Sequence, residues 1–243
     1  MSWWLRALVA SGVALGVKFT LAGAAVEDLR WLLAPTSWLT SLITGHRFAW
    51  EAGVGFLSTT AHFSIVSACA GVTFFSVALG LLLFHALTRP RLVPFALCGA
   101  FVATVLANAV RLVGCVWLHV EHWRVGTLSE PELHRLIGLA VYTASLVMLA
   151  LLVGGRSRRS VAVALGWYLA VTLGLPLLHG AAGPGYGAHA LWSLVVVLPA
   201  GALAMLALGR PSMDRAHSAA RAGADFDLPV AAELRLEQLR LHR

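Results

Sequence analysis

Three residues far apart along the chain, Cys69, Arg111 and His134, combine side chains that can carry out acyl transfer. A cysteine thiolate is a nucleophile, and a guanidinium that stays charged can stabilise a developing oxyanion. A neutral imidazole can accept a proton and return it. Together these groups would cleave an acyl bond through a thioester on the cysteine. This chemistry requires the elements that carry the three residues to bring them together.

The composition of the chain is typical of an integral membrane protein. Of its 243 residues, 59% are hydrophobic and 12% are charged, and the mean hydropathy is +0.80. Soluble domains carry about 25% charged residues, so this chain has too few charges to cover a surface that faces water. Its 3 cysteines include no Cys-x-x-Cys pair, which excludes a disulfide scaffold and a zinc site of that kind. We therefore expect neither a metal nor an organic cofactor.

The basic residues are distributed as in membrane proteins. The net charge is +7, and arginines cluster at 89–91, 156–159 and 210–221, each cluster beside a long apolar run. Such clusters are typical of loops on the cytoplasmic side of a membrane, whereas a nucleic-acid site gathers its basic residues on one face. The distribution therefore predicts contact with membrane lipid and no nucleic-acid partner.

Six apolar runs are long enough to cross a membrane as helices, which takes about 20 residues. They lie at about 5–26, 70–88, 92–117, 134–154, 161–179 and 188–208. Because the arginine clusters follow the second, fourth and sixth runs, the sequence predicts an all-α, polytopic membrane bundle of about six transmembrane helices with both termini cytoplasmic. In this arrangement 12 of the 18 Lys and Arg residues lie inside, while Lys18 and Arg111 lie within spans.

The segment 27–68 would lie outside the membrane in this arrangement. Its three tryptophans favour a position along the outer interface, because tryptophan prefers the headgroup level. The apolar run before it ends at Ala22-Gly23-Ala24, which resembles a signal-peptidase site. Since Lys18 interrupts the apolar core of that run, we expect an uncleaved anchor.

The cytoplasmic arginines serve as depth markers because an α-helix rises by a constant amount per residue. Cys69, Arg111 and His134 each lie 20–22 residues from the cytoplasmic arginine that adjoins their own span. These separations correspond to about 30–33 Å of helix, so the three groups should share one level at the outer membrane boundary. Ionisable groups at membrane depth are costly and are therefore functional candidates.

The residues around this trio refine the expectation. Gly71 would leave room beside the sulfur for a substrate backbone, and Asn108 lies one turn before Arg111 on the same helix face. Cys69 and His134 are each expected at a helix N-terminus, where the dipole favours a thiolate and a neutral imidazole.

Other polar residues and motifs indicate a catalytic role less clearly than Cys69, Arg111 and His134 do. Cys115 lies one turn beyond Arg111 and is a rival nucleophile, although a helix C-terminus disfavours its thiolate. Cys98, in the middle of an apolar span, is interpreted as packing. The chain has neither a His-Glu-x-x-His nor a Gly-x-Ser-x-Gly pattern, which argues against a zinc protease and a serine hydrolase. A small polar group in the outer loop is left without a role: His119, Glu121 and His122.

At these residues the sequence resembles the exosortase/archaeosortase family. The three motifs of the family are matched by Cys69-Ala70-Gly71, Asn108-x-x-Arg111 and His134-x-x-x-Gly138. The stretches 29–36, 48–53 and 68–75 are similar to the exosortase K branch, and the likeness covers about residues 18–153. Many family members have serine where Ala70 stands, and the segment from Val161 onward lies beyond the shared core.

The resemblance implies a cysteine protease and transpeptidase in the bacterial cytoplasmic membrane, with its active site near the extracytoplasmic face. Such enzymes cleave exported proteins that end in a tripartite sorting signal, made of a short motif, an apolar helix and a basic end. They pass the cleaved protein to an acceptor at the cell surface. By matching positions, Cys69 would be the nucleophile, Arg111 the oxyanion or substrate-positioning residue, and His134 the general base and acid. Supporting roles would fall to Asn108, Gly71 and Gly138.

The resemblance also divides the chain into a catalytic membrane core at 1–154, two additional transmembrane helices at 155–209 and a cytoplasmic tail at 210–243.

Two other classes of function stay open. A transporter or binding protein would use Arg111 for an anionic substrate. A structural membrane scaffold would tolerate replacement of Cys69, Arg111 and His134.

Overall fold

The chain folds almost entirely into helices in a computed structural model that describes residues 1–121, 129–155, 157–174, 177 and 186–209. Its first part comprises helices α1 (Trp3–Ala22) and α2 (Arg30–Thr44), followed by strands β1 (Ala49–Glu51), β2 (Gly55–Ser58) and β3 (Phe63–Ile65). The later helices are α3 (Val72–Ala86), α4 (Val93–Val120), α5 (Glu130–Gly154), α6 (Arg158–Leu169) and α7 (Tyr186–Gly209). Short 3-10 turns, Ser67–Cys69 and Pro90–Leu92, precede α3 and α4, and a π-helical segment, Ala170–Gly174, follows α6.

Within the ranges that the structure describes, five helices are long and apolar enough to cross a membrane, in agreement with the predicted all-α class. They are Trp3–Ala22, Ser67–Ala86, Pro90–Val120, Glu130–Gly154 and Tyr186–Leu208. The remaining predicted span, 161–179, begins in the 12-residue helix α6 and continues through the π-helical segment. Its last part lies outside the described residues, so the count of six spans and the side of the termini stay predictions.

Helix α3 is the most buried of these helices. Ten of its 15 residues are buried, as expected for a helix that is apolar on every side, and it contacts α1, α4, α5 and α6. At Gly80 an added side chain would collide with the ring of Trp167 and reach Ala14 at 3.0 Å. The glycine therefore lets α1 and α6 approach α3 closely.

The segment 27–68 forms a helix and a small antiparallel sheet, which the sequence did not predict. Helix α2 packs against α4, and the three strands lie in the order β1-β2-β3. The carboxylate of Glu27 accepts a hydrogen bond from the backbone N–H of Gly53 at 2.7 Å. This bond lowers the pKa of the Glu27 carboxyl because it stabilises the ionised form. The position of the segment along a membrane interface stays a prediction.

The chain divides into two compact units, Met1–Met205 and Leu206–Arg243. Helix α6 belongs to the first unit and packs against α3 and α5. The segment 210–243, predicted to be a cytoplasmic tail, lies outside the described residues.

Candidate functional site

Cys69 ends the 3-10 turn that leads into α3. Its backbone N–H donates to the carbonyl of Val66 at 2.8 Å, and its side chain packs, half-buried, against an apolar cluster. That cluster joins α2, the sheet and α4 and includes Leu33, Ile65 and Leu112. The thiol therefore lies just before α3, in a segment that is fixed from several sides.

Asn108, fully buried on α4, connects this segment to α5. Its Nδ2 donates to the backbone carbonyl of Ala70 at 2.8 Å, and its Oδ1 accepts from the hydroxyl of Tyr142. The same hydroxyl accepts from Nη1 of Arg111 at 3.3 Å. Because a buried amide is stable only when its polar atoms are bonded, this chain of hydrogen bonds holds the residue after Cys69 and the guanidinium in one network.

Gly71 is the residue at which the start of α3 meets α4. It adopts the left-handed conformation with a φ of 70°. A side chain here would place its Cβ 2.6 Å from Nδ2 and 2.7 Å from Oδ1 of Asn108. The space that the sequence assigned to a substrate backbone is thus occupied by Asn108 in the structure.

Replacing Gly71 by alanine is expected to lower the free energy of unfolding by about 2–5 kcal/mol. The left-handed conformation costs a non-glycine residue about 1–2 kcal/mol, and overpacking against Asn108 adds about 1–3 kcal/mol. Thermal unfolding of the protein purified in detergent measures the loss.

Gly45→Ala is the matched control for this substitution. Gly45 has a φ of 76° but no atom within 4 Å of an added Cβ, so it isolates the conformational cost of about 1–2 kcal/mol. The double variant Gly71→Ala/Asn108→Ala should recover part of the loss because it removes the colliding amide. If Gly71→Ala and Gly45→Ala lose the same free energy of unfolding, the Asn108 side chain moves aside without an energetic cost.

Arg111 reaches from α4 to α5, where its Nη1 donates to the hydroxyl of Tyr142. A Cβ added at Gly138 would lie 3.0 Å from its Nε, so this glycine provides the space for the guanidinium. Arg111 interacts electrostatically with Cys69 and Cys115 and with His134. Cys69 and His134 therefore both lie within electrostatic range of the guanidinium.

His134 lies one turn inside α5, since the helix begins earlier than the predicted residue 134. A capping box between Ser129 and Glu132 starts the helix at Glu130. Nε2 of His134 lies 3.9 Å from Oε1 of Glu130, and the same oxygen is 2.5 Å from Nδ1 of His119. His134 is therefore adjacent to a carboxylate that the sequence did not associate with it.

Phe63 of β3 covers the two histidines. Its ring centroid is 5.9 Å from that of His119 and 5.8 Å from that of His134, both in edge-to-face geometry. In the part of the chain that the structure describes, no hydrogen bond joins Cys69 to His134. Catalytic hydrogen bonds are often long before a substrate binds, so the arrangement is compatible with proton transfer only after the two side chains move closer.

The other two cysteines differ sharply in exposure. Cys115 is only 1% exposed, which prevents a substrate from reaching its thiol. Cys98 is exposed, so its interpretation as a packing residue is wrong. It lies on the same outward face of α4 as Phe95 and Val102, which are also exposed.

A pocket of about 540 Å³ adjoins the network. Arg111, Gly71, Gly138 and Tyr142 contribute to its lining, whereas Cys69 and His134 do not. Tyr142 was not among the residues predicted from the sequence, although it follows Gly138 by one helical turn and so lies on the same helix face as His134. Among the described residues, no group of three or more His, Cys, Asp or Glu side chains is placed to hold a metal ion.

In the described part of the chain, fold and site together define an all-α protein with five helices suited to a membrane. A half-buried arginine is held by a tyrosine, which in turn is bonded to an asparagine. Comparison with protein-family models, with curated proteins and with solved structures gives no match. The function must therefore be inferred from the geometry of the chain's own residues and from the motifs in its sequence.

Proposed function

We propose that the protein is a membrane-embedded cysteine protease and transpeptidase of the exosortase kind, which cleaves the C-terminal sorting signals of exported proteins. The observation that supports this proposal most directly is the hydrogen-bond chain from Ala70 through Asn108 and Tyr142 to Arg111. It fixes the segment of the nucleophile and the guanidinium relative to each other. Such preorganisation is what stabilisation of a developing charge requires.

The first chemical step would be acylation of Cys69. His134 accepts the thiol proton, and the thiolate attacks the carbonyl carbon of the scissile peptide bond. The carbonyl oxygen becomes an oxyanion that Arg111 stabilises. The C–N bond then breaks, His134 gives its proton to the leaving amine, and the exported protein is held as a thioester.

The second step would release the exported protein. An acceptor nucleophile at the cell surface attacks the thioester carbonyl, and His134 takes its proton. The C–S bond then breaks, and His134 returns that proton to the departing sulfur, which regenerates the thiol. Water in place of the acceptor gives simple hydrolysis. No cofactor or metal takes part in either step.

The proposal places the protein in the bacterial cytoplasmic membrane as a multi-pass protein, with six spans and both termini in the cytoplasm. The active site is then near the extracytoplasmic face, where an exported substrate arrives. The distribution of arginines supports this orientation.

Co-expression with a tagged exported protein that carries a tripartite C-terminal signal tests the proposal. We expect a shortened product, together with a covalent adduct that hydroxylamine releases and that mass spectrometry maps to Cys69. An adduct that maps to Cys115 would contradict the assignment of Cys69 as the nucleophile. A shortened product without any covalent adduct would also contradict it.

Glu130 is expected to act as a positioning residue for His134. Its carboxylate lies close enough to stabilise the imidazolium that forms when His134 accepts a proton. Glu130→Gln should lower kcat roughly 10- to 100-fold, a part of the contribution of a general base, with KM and the thermal midpoint unchanged.

Glu132→Gln serves as the control for Glu130→Gln. It removes the same charge from the same helical turn, and glutamine can still form the capping box with Ser129. We expect full turnover in this variant. Equal losses of kcat in the two variants would assign the effect to the charge of the helix end and not to the contact with His134.

A binding or transport protein for anions is the second candidate, because the cations around the pocket support it. It differs from the protease in one clear respect. Anion binding would survive Cys69→Ala and would be lost with Arg111→Gln, and no processed product would form.

A further inference from the structure

The described lining of the pocket beside Arg111 includes cations and no carboxylate. Lys18, Arg111 and Arg135 contribute to its wall. Neither aspartate nor glutamate is present among its described lining residues. The described wall of the pocket therefore carries a net positive charge.

Lys18 shows most clearly that a negative group is missing. This residue of α1 is half-buried, and its Nζ donates to Oγ1 of Thr73 on α3 at 2.6 Å. A hydroxyl satisfies one donor of the ammonium group but does not neutralise its charge. Charged side chains that leave water are normally paired with an opposite charge, so an anionic ligand would complete this site.

The cations lie near one end of the apolar helices. Lys18 is four residues from the end of α1 at Ala22, and Arg135 is five residues from the start of α5 at Glu130. These separations correspond to about 6 and 7.5 Å along a helix. A polar group bound there would lie at the level of lipid headgroups, while the apolar part of the wall, Leu21, Leu29 and Leu139, suits an acyl or glycerol portion.

We propose that this pocket binds the phosphate group of an anionic phospholipid. Lys18 and Arg135 provide the charge, and an arginine presents several donors that match phosphate oxygens. Hydroxyl groups on the later part of the chain, Tyr168 and Thr172, line the same pocket. The segment beyond Val161 thereby acquires a role that its sequence did not indicate, because it closes one side of the lipid site.

Lipid retention in mixed nanodiscs tests this proposal. The protein is reconstituted with phosphatidylcholine and phosphatidylglycerol, extracted in mild detergent and analysed for bound lipid by mass spectrometry. We expect enrichment of phosphatidylglycerol on the wild-type protein. Lys18→Gln and Arg135→Gln should each weaken its retention about tenfold, which corresponds to about 1.4 kcal/mol.

Arg30→Gln is the matched control, because Arg30 lies over the ring of Trp50 and does not line the pocket. It should retain phosphatidylglycerol as the wild type does. If Lys18→Gln does not fold, Arg135→Gln still tests the proposal, because Arg135 is exposed and its replacement should not prevent folding. No enrichment on the wild type, or equal retention in the pocket variants and the control, would overturn the proposal.

Inorganic phosphate distinguishes the lipid from a soluble anion. Displacement of phosphatidylglycerol by excess phosphate, with chloride as the control, supports recognition through the phosphate group. If phosphate stabilises the protein in a Lys18-dependent manner while phosphatidylglycerol is never retained, the ligand is a soluble anion and the lipid assignment is wrong.

The lipid site does not depend on Cys69 being a nucleophile. Cys69→Ala should therefore retain phosphatidylglycerol while it loses processing of the tagged substrate. Processing with no lipid enrichment would refute the lipid site alone, and enrichment with no processing would refute the protease alone.

Discussion

Cys69→Ala is expected to reduce processing of a sorting-signal substrate to below detection. The sulfur is the group that forms the thioester, and the rival thiol of Cys115 is only 1% exposed. The thermal midpoint should change little, because the cysteine is only half-buried at the edge of its apolar cluster. Quantification of cleaved and intact tagged substrate in the same membranes gives the measurement.

The other cysteines are the controls for this result. Cys98→Ala should retain full processing, since Cys98 is exposed on the outward face of α4. Cys115→Ala should also process the substrate, with a lower thermal midpoint because the residue is buried. Full processing by Cys69→Ala would exclude a thioester mechanism at this position.

Arg111→Gln is expected to lower kcat about 10²–10³-fold, the usual loss when one group that stabilises an oxyanion is removed. Arg111→Lys should rescue little, because an ammonium group lacks the planar fork that can donate to Tyr142 and also to a substrate oxygen. Single-turnover rates of thioester formation measure the effect on the chemical step directly.

Tyr142→Phe separates the charge of Arg111 from its orientation. The guanidinium remains but loses its hydrogen bond to the hydroxyl, and Asn108 loses the hydrogen bond that the same hydroxyl donates. We expect kcat to fall at least about tenfold, because one hydrogen bond to a charged group contributes about 1.5 kcal/mol or more. The stacking of Tyr142 on Phe74 is retained, which preserves the packing of α5. A wild-type rate for Arg111→Gln would leave the guanidinium without a role in the chemistry.

The sequence predicts one level for Cys69, Arg111 and His134, and that prediction depends only on the constant rise of a helix. The arginine clusters give a reference level, and counting residues from them requires no knowledge of packing. The lengths of the apolar runs predict the ends of the helices less accurately. The capping box at Ser129 extended α5 by a turn that hydropathy did not indicate.

The partners that link these residues could not be predicted in the same way. Tyr142 and Lys18 are single polar groups in apolar helices, and only the rotation of each helix decides whether such a group faces a pocket or lipid. Glu130 is close to His119 because α4 and α5 lie side by side. Contacts of this kind depend on tertiary packing, which no local pattern encodes.

The small sheet was missed for a different reason. Its strands have only three or four residues, too few to show the alternation of polar and apolar side chains that identifies a strand. The tryptophans of the segment indicated a membrane interface instead. One of them, Trp31, stacks on Phe101 of α4 and packs edge-on against Phe75 of α3, so it helps to hold α2 on the bundle.

The two glycines opposite Asn108 and Arg111 make the site dependent on how the helices are aligned. Each polar side chain of α4 is seated against a bare backbone position, Gly71 on one neighbour and Gly138 on the other. Sliding or rotating α4 would drive both side chains into adjacent atoms, whereas apolar contacts alone would tolerate a shift. Asn108 and Arg111 thus fix the axial position of α4 relative to α3 and α5. Substitutions far from Cys69 that shift α4 along its axis should therefore change the rate of thioester formation, although they contact none of the three proposed catalytic residues.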